Sequence, residues 1–511
     1  MVWPHANETP QIASLEASAR DVLNFIPILR NMLQPVNRLP PMVLSHIAKH
    51  VLWANKYRDD DARQIIPLTH VCRYWRASIV SAPENWALIS CRNKSLAELS
   101  LERSKASPLE VSLQLDLFWK QPRFSDLLIP HLENIETLHI HGLTTVGEIT
   151  RALPNFPRST PILRSLDVLS WGNIQANPSI DPFQPFPHTL TDLMLLNIPL
   201  FPSFLGIRTL AQFEYTSHTI GFPLGSILTI LEENPALESV TLKDYYREFQ
   251  PPFQYPQRPA LIRDRLRHLR IRCGDSVLSA QTLLSRISLG RGAHLEISSS
   301  ERGLNEILSG IPSKHFANLL SPDFMQYRSR QRGIRLRGPN GTFSFETVSL
   351  QDLFVEFPVL PSLVNIREFH FIHYAPRQFR HTDYPSSFLP PGPEVLHRLA
   401  SFPALETFAI ECVIKRNSNV SDAFSPLMSN PSAYPSLKTL AFLNCVITDE
   451  FMEWLTRFAS SRKETASASL HRVVIVHGLG MFPNVASIKA LERNVPVVDV
   501  RYGHELPTNL T

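Results

Sequence analysis

Residues 234–242 read NPALESVTL, and two close variants follow later in the chain, FPALETFAI at 402–410 and YPSLKTLAF at 434–442. Each contains the pattern apolar-x-x-apolar-x-apolar. Alternating apolar residues predict a β-strand with one buried face, because successive side chains of a strand point to opposite sides. The same pattern begins at ten positions, which are 135, 163, 190, 210, 237, 266, 366, 405, 437 and 470.

The spacing of these positions indicates a repeat array. Successive starts are separated by 28, 27, 20, 27 and 29 residues, then by 100, 39, 32 and 33. Amphipathic runs that predict helices lie between several of them, as in LGSILTILEEN (224–234) and DEFMEWLTRFASS (449–461). A strand with a returning helix is the unit of leucine-rich repeats. We therefore predict an α/β fold, an irregular leucine-rich-repeat solenoid with parallel strands on one face and helices on the other. The alternative is a set of unrelated short strands.

The longest gap in the array lies between 266 and 366, and it contains IRLRGPNGTFSFE at 334–346. Asn-Gly favours a tight turn with positive φ, and apolar residues alternate on both sides of it. We predict a β-hairpin here. Residues 298–362 are interpreted as an insertion that adds strands to the solenoid.

The first predicted helix spans residues 11–33 and carries an apolar stripe with steps of 3, 4, 3, 4, 3 and 4 residues. The stripe consists of Ile12, Leu15, Ala19, Val22, Ile26, Leu29 and Leu33. Such spacing is typical of a coiled coil that pairs two chains, but it also fits a helix that folds back onto its own domain. Pro27 should kink or split the helix, so the second interpretation is favoured.

Two further amphipathic helices are predicted within residues 36–90. Leu39-Pro40-Pro41 opens the first, since proline suits the first turn of a helix. The second carries its apolar residues from Ile65 to Ile79 with the same alternating steps, and Pro83 closes it. Two short helices bury little surface alone, so they need the rest of the chain or a partner to cover them.

This block resembles an F-box, in the F-box-like form abundant in mushroom-forming fungi. The matching stretches are RLPPMVLSHI (38–47) and LTHVCRYWRASIVSAPENWALI (68–89), about a tenth of the chain. In order, they contain the family's Leu-Pro, an apolar helix, Val-Cys-x-x-Trp and a small residue followed by Pro-x-x-Trp. The family usually has an acidic residue where this chain has Met42.

The resemblance implies a non-catalytic substrate receptor of a cullin–RING (SCF-type) ubiquitin ligase. The helices would bind a Skp-family adaptor, and through it a cullin, while the repeats would bind an unidentified protein substrate. The adaptor-binding set it implies, with the last three residues packing the module, is Leu39, Pro40, Val43, Leu44, Ile47, Val71, Cys72 and Trp75. The alternative function is a scaffold in which the F-box-like helices only cap the repeat array.

The polar side chains of the repeat strands should form one sheet surface, which is the expected face for a partner. Its candidate residues are His139, His141, Asp167, Glu214, Lys243, Arg270, Arg272, Arg367 and His370. Their mixed charges favour a protein partner over a polyanion, although each residue taken singly is better explained as a solvated position.

Two arginine runs, RDRLRHLRIR (263–272) and YRSRQRGIRLRG (327–338), fit either a phosphate or acidic ligand, or a charged strand edge that resists aggregation. The second interpretation is favoured. Nucleic-acid binding is not predicted, because only Tyr327 offers an aromatic ring for stacking and the net charge of the chain is only +4.

Motifs of catalysis, metal binding and cofactor binding are not found in the sequence, so we expect neither an enzyme nor a cofactor. His139 and His141 lack a third ligand, which argues against a metal site. Five widely spaced cysteines favour a reducing compartment, cytoplasmic or nuclear. We find no signal peptide and no apolar run long enough to span a membrane.

The domain boundaries that these patterns predict are 1–35 for the N-terminal helix, 36–90 for the F-box-like domain, 91–297 for the first part of the array, 298–362 for the insertion and 363–511 for the second part.

Overall fold

The protein is described by a computed structural model. It describes residues 9–54, 64–90, 92–115, 124–145, 147–153, 156, 158–170, 181, 183, 188–218, 223–244, 261–263, 265–273, 277–290, 292–299, 324–328, 333–338, 341–346, 365–374, 402–413, 434–443, 445, 447–464, 469–477 and 483–502. The chain divides into two compact units. Unit 1 comprises Met1–Met194 and Phe201–Phe204, and unit 2 comprises Leu195–Leu200 and Leu205–Thr511.

Unit 1 begins with helices. They are α1 (Thr9–Leu33), a 3-10 turn (Pro35–Arg38), α2 (Pro41–Ala54), α3 (Ile65–Thr69), α4 (Arg73–Ser81) and a second 3-10 turn (Pro83–Trp86). The single helix predicted between 65 and 79 is in fact two helices. The chain leaves α3 in a turn at His70 and becomes extended at Cys72, with φ −160°, before α4 starts.

The segment from Pro35 to Trp86, here called the helical module, has its own apolar core. Its buried members are Leu44, Ala48, Leu52, Ile65, Trp75, Ile79 and Trp86. Burying a side chain of this size contributes about 1.5–3 kcal/mol. Leu88 and Leu99, from the elements that follow, pack against the same core. The module therefore shares its core with the start of the sheet and is not an independent appendage.

The helix α1 differs from the prediction in two ways. It continues through Pro27 as one 25-residue helix. Every side chain described between Ile12 and Leu33 is exposed, so the helix does not fold back onto its own domain. Its C-terminal end is fixed to the first 3-10 turn, where Asn37 Nδ2 donates to Asn31 O over 2.5 Å. The favoured interpretation of this segment was wrong.

The sheet of unit 1 is parallel and runs in chain order. Its elements are β1 (Leu88–Ser90), α5 (Lys94–Ser104), β2 (Leu109–Gln114), α6 (Phe124–Leu128), β3 (Ile135–His141), α7 (Gly147–Ala152), β4 (Ser165–Leu169), β5 (Asp192–Leu196) and α8 (Pro202–Leu205). Strands β1 to β4 pair as successive neighbours, with Leu138 opposite both Val111 and Leu166. Those three side chains are buried on the helix side of the sheet.

Unit 2 continues the alternation of strands and helices. Its elements are β6 (Gln212–Ser217), α9 (Leu224–Glu233), β7 (Ser239–Asp244), β8 (Leu261–Arg263), β9 (His268–Cys273), α10 (Val277–Arg286), β10 (Ile287–Leu289), β11 (Ala293–Ser299), β12 (Phe324–Arg328), β13 (Gly333–Gly338), β14 (Gly341–Glu346), β15 (Glu368–Tyr374), β16 (Thr407–Val413), β17 (Thr439–Leu443), α11 (Asp449–Glu464), β18 (Arg472–His477), α12 (Val485–Glu492) and β19 (Val497–Tyr502).

The strands of unit 2 form a mostly parallel sheet in the order β6-β7-β9-β11-β14-β13-β12-β15-β16-β17-β18-β19. Only β13 runs against its two neighbours among these described strands. Strands β8 and β10 form a separate parallel pair. The α/β, solenoid-like fold predicted from the repeats is confirmed, because each of the ten predicted starts leads into a strand.

The predicted hairpin is present as β13 and β14, with Ile334 opposite Phe345 and Leu336 opposite Phe343. The hairpin is part of the sheet itself. Strand β14 also pairs with β11, and β13 also pairs with β12, which in turn pairs with β15. The interpreted insertion therefore continues the sheet between the two parts of the array.

A buried asparagine fixes the turn that begins the motif NPALESVTL. Asn234 accepts a hydrogen bond from Leu210 N over 2.9 Å and donates to Ile207 O over 2.8 Å and Ile230 O over 2.9 Å. Its side chain therefore connects the end of α9 to the loop before the neighbouring strand β6.

Replacing Asn234 with leucine is expected to lower the free energy of unfolding by about 2 kcal/mol, because a buried N–H and two buried carbonyls lose a partner. The measurement is urea denaturation. Asn494→Leu, at the corresponding place after α12, is the matched control, since its side-chain bond to Ala490 O is 3.5 Å long. Equal losses in the two variants would contradict the anchoring role of Asn234.

Candidate functional site

The residues that the F-box resemblance places at the adaptor divide into core and surface. Leu44 has no exposed surface, so it cannot touch a partner and the contact predicted for it is wrong. Trp75 is buried in the module core, as expected of a residue that packs the module, whereas Val71, which was predicted to pack it, is 52% exposed. Leu39, Ile47 and Cys72 are half-buried and pack against the same core. Half-buried Val43 and exposed Pro40 and Val71 remain accessible.

Hydrogen bonds hold the segment before α2 along the start of α4. Trp75 Nε1 donates to Asn37 Oδ1 over 2.8 Å, and Cys72 Sγ lies 3.6 Å from the same oxygen. The Tyr74 hydroxyl donates to Leu39 O over 2.6 Å. These bonds bring the residues around Leu39 beside those around Val71.

The result is an exposed apolar surface on the module, here called the module patch. It consists of Val36, Pro40, Met42, Val71 and Tyr74. Met42, at the place where the F-box family usually has an acidic residue, is 70% exposed. The patch can accept an apolar partner surface without any change in the module core.

On the sheet of unit 1, the predicted partner-face residues meet in one cluster. His139 on β3 is buried between two carboxylates, with its Nδ1 2.6 Å from Asp167 Oδ2 on β4 and its Nε2 3.1 Å from Glu110 Oε1 on β2. His141 lies on the same face, with its ring centroid 6.3 Å from that of His139. Three adjacent strands are thus connected through one imidazole.

Protonation of this cluster is set by two opposing effects. Burial disfavours the charged form of His139, but the hydrogen bonds and charges of Asp167 and Glu110 outweigh it and raise the pKa to about 9. The pKa of His141 is lowered by burial and by the neighbouring His139. His139 is therefore an imidazolium at neutral pH, whereas His141 is neutral.

The geometry of His139 limits its chemistry. Both ring nitrogens are engaged by carboxylates, so the imidazole offers no lone pair to a metal ion and no free nitrogen to accept a proton from a substrate. Within the part of the chain that the structure describes, no group of three histidine, cysteine or carboxylate side chains is arranged so that it could hold a metal ion.

On the sheet of unit 2, the predicted charged residues are paired across strands. Lys243 Nζ lies 2.6 Å from Glu214 Oε1, and Arg270 Nη2 lies 2.7 Å from Glu296 Oε2. Arg272 is half-buried and Arg367 is exposed. The pKa of half-buried His370 is lowered to about 4 by burial and by the charge of Arg337.

The parts of the arginine runs on β9 and β13 lie on interior strands, so the predicted charged strand edge is wrong for these parts. Strand β9 is paired on both sides, by β7 and β11, and β13 is paired by β12 and β14. Arg270 on β9 and Arg337 on β13 are exposed; Arg270 meets Glu296, and Arg337 Nη2 lies 3.8 Å from Glu368 Oε2. Nearby acids partly neutralise both runs.

The predicted open surface does not extend to β16, β17 and β18. The residues of these strands that alternate with the helix-facing positions are Ala409, Ala441, Leu443, Val474 and Val476. Each is at most 3% exposed. At these strands this surface of the sheet is apolar and buried, so it is not available to a partner there.

The sequence interpretation missed the acids that complete these pairs, namely Glu110, Glu296 and Glu368. The signal for Glu110 was present, because LEVSLQL (109–115) alternates apolar and polar residues as a strand should. None of the described helices is long and apolar enough to cross a lipid bilayer.

Comparison with known proteins leaves the family open. No protein-family profile and no curated protein matches the sequence. Among solved structures, the crystal structure of a Bacteroides fragilis protein, a target of the Northeast Structural Genomics Consortium, aligns over 80% of this chain and 78% of its own. The two share 11% identity with a TM-score of 0.19, at which the likeness carries no information on fold or function.

Proposed function

We propose that this chain is a substrate receptor of an SCF-type ubiquitin ligase in the cytoplasm or nucleus. The helical module would bind a Skp-family adaptor, and through it a cullin, and the sheet surface would bind a protein substrate. The observation that carries the proposal is the module patch, an exposed apolar surface on helices whose sequence resembles an F-box.

The mechanism in this proposal is proximity. A receptor that holds a target beside a charged conjugating enzyme raises the effective concentration of its lysines and needs no chemistry of its own. The cross-strand pairs Lys243–Glu214 and Arg270–Glu296 support such a role, since they place partly exposed charges of both signs on fixed strands. Preorganised charge favours selective recognition of a protein surface.

A scaffold without an adaptor is the second candidate. It is favoured by Trp86, Leu88 and Leu99, which join the module core to the first strand and helix of the array. A repeat array needs such a cap, because its first unit would otherwise expose apolar surface. In this case the helices would serve the fold alone.

The test is capture of a purified Skp-family adaptor by the full chain. Met42→Asp with Val71→Asp is expected to weaken capture at least 10-fold, because both charges fall on the module patch. Both side chains are exposed, so the melting temperature should stay within about 2 °C.

The matched control is Ile129→Asp with Ile162→Asp, two exposed apolar residues of unit 1 outside the module. It should bind the adaptor like the unmodified chain. Equal binding by both double variants would reject docking through the module patch, and absence of binding by the unmodified chain would favour the scaffold.

A further inference from the structure

The helix α1 carries nine of the eighteen exposed large apolar side chains among the described residues. Its exposed large apolar side chains are Ile12, Leu15, Val22, Leu23, Phe25, Ile26, Leu29, Met32 and Leu33. Patches of this kind mark interaction sites in soluble proteins. Most of the stability of a helix in a protein comes from packing of its apolar face, and no described residue covers this one.

The spacing of the apolar residues along α1 indicates what kind of surface packs against them. The stripe steps by 3 and 4 residues for three heptads, with Ile12, Ala19, Ile26 and Leu33 at a positions and Leu15, Val22 and Leu29 at d positions. This repeat is the seam of a two-stranded coiled coil, in which each side chain enters a hole on another helix. Pro27 falls at a b position, outside the seam, where its ring does not meet the second helix.

We propose that α1 pairs with α1 of a second copy of this chain as an antiparallel coiled coil. In this arrangement a residues face d residues. Ile26 then lies opposite the partner's Val22, and Ala19 lies opposite the partner's Leu29. The small side chain at position 19 thus faces a large one, and the layers fill evenly.

The charged residues beside the seam indicate that the two helices run antiparallel. In antiparallel pairs the e positions face each other, which places Glu16 opposite the partner's Arg30, twice by symmetry. Leu23 then meets its own copy across the twofold axis, and so does Phe25 on the other side of the seam. Both are large and exposed in the single chain.

A parallel pair would fit less well. It would place Ala19 against the partner's Ala19 and leave space in the seam. It would also place Glu16 opposite the uncharged Gln11 of the partner subunit and Arg30 opposite the partner's Phe25. Charge complementarity therefore favours a second copy in the antiparallel direction.

The test is sedimentation equilibrium of the full chain from about 1 to 100 µM, where a dimer is expected. Ile26→Asp places a charge in the seam and should raise the dissociation constant at least 100-fold. Asn24→Asp is the matched control, since it adds the same charge at an f position and should leave the dimer intact. A monomeric unmodified chain, or a dimer indifferent to Ile26→Asp, would overturn the proposal.

The antiparallel direction of the two helices is tested separately by exchanging the charges of Glu16 and Arg30. Both residues are exposed, so these substitutions should not affect folding. Glu16→Arg alone and Arg30→Glu alone should each weaken the dimer about 5-fold, because each puts like charges opposite one another. The double variant should restore it, since both pairs are then opposite again. Failure of the double variant to recover would reject the antiparallel arrangement.

Discussion

Arg462→Met is expected to lower the free energy of unfolding by about 2–3 kcal/mol. Arg462 is 1% exposed, and its Nη2 donates to Tyr434 O over 2.9 Å and to Leu437 O over 3.0 Å. Methionine fills most of the volume, but it leaves the carbonyl of Leu437 without this donor, at a cost of about 1–3 kcal/mol, while Tyr434 O loses one of two donors and keeps the bond from Leu437 N. Urea denaturation of the variant measures the loss.

The matched control is Arg457→Met, the same substitution at an exposed position of the same helix, α11. It should change the free energy of unfolding by less than about 0.5 kcal/mol. A loss below 1 kcal/mol in Arg462→Met would mean that water or a neighbouring side chain replaces the guanidinium. In that case Arg462 would not anchor the turn.

Arg462 and Asn234 have the same role in the array, since each is a buried polar side chain that bonds to the backbone at a turn before a strand. Tyr434 O accepts both Leu437 N and the guanidinium of Arg462, while Asn234 O accepts Leu237 N in the equivalent turn of NPALESVTL. Each of these turns precedes a strand and is bonded by one buried polar side chain. The repeat geometry therefore depends on single polar residues as well as on the apolar strand pattern.

The strands were predictable because their signal is local. An alternating pattern needs only six consecutive residues, and the ten predicted starts each lead to a strand. Short strands such as β1 and β10, with three residues each, are too brief to show alternation and were missed.

The cross-strand pairs were not predictable in the same way. His139, Asp167 and Glu110 meet only because β2, β3 and β4 align in one register, and register depends on loops of different length. The buried surface on β16 to β18 was not predictable for a similar reason. An alternating pattern shows that a strand has two faces, but it does not show whether the second face is covered.

The stability of unit 1 is expected to fall by about 3 kcal/mol between pH 6.5 and pH 9.5. The pKa of His139 is about 9 in the folded chain and 6.5 in an unfolded one, so the folded state binds an additional proton between these values. Such a group stabilises the fold fully below pH 6.5, and the contribution is lost as pH rises through 9. The difference of about 2.5 units corresponds to about 3 kcal/mol.

The measurement is the free energy of unfolding at pH 6.5, 7.5, 8.5 and 9.5, for the unmodified chain and for two glutamine variants. His139→Gln should be less stable at pH 6.5 and should lose most of the slope, because glutamine has no titrating proton. His141→Gln is the matched control on the same face of β3; it should keep the slope, since the pKa of His141 is lowered and this histidine titrates below the window. A slope that persists in His139→Gln would show that the Glu110–His139–Asp167 bonds do not hold the proton, and the imidazole would then be neutral at physiological pH.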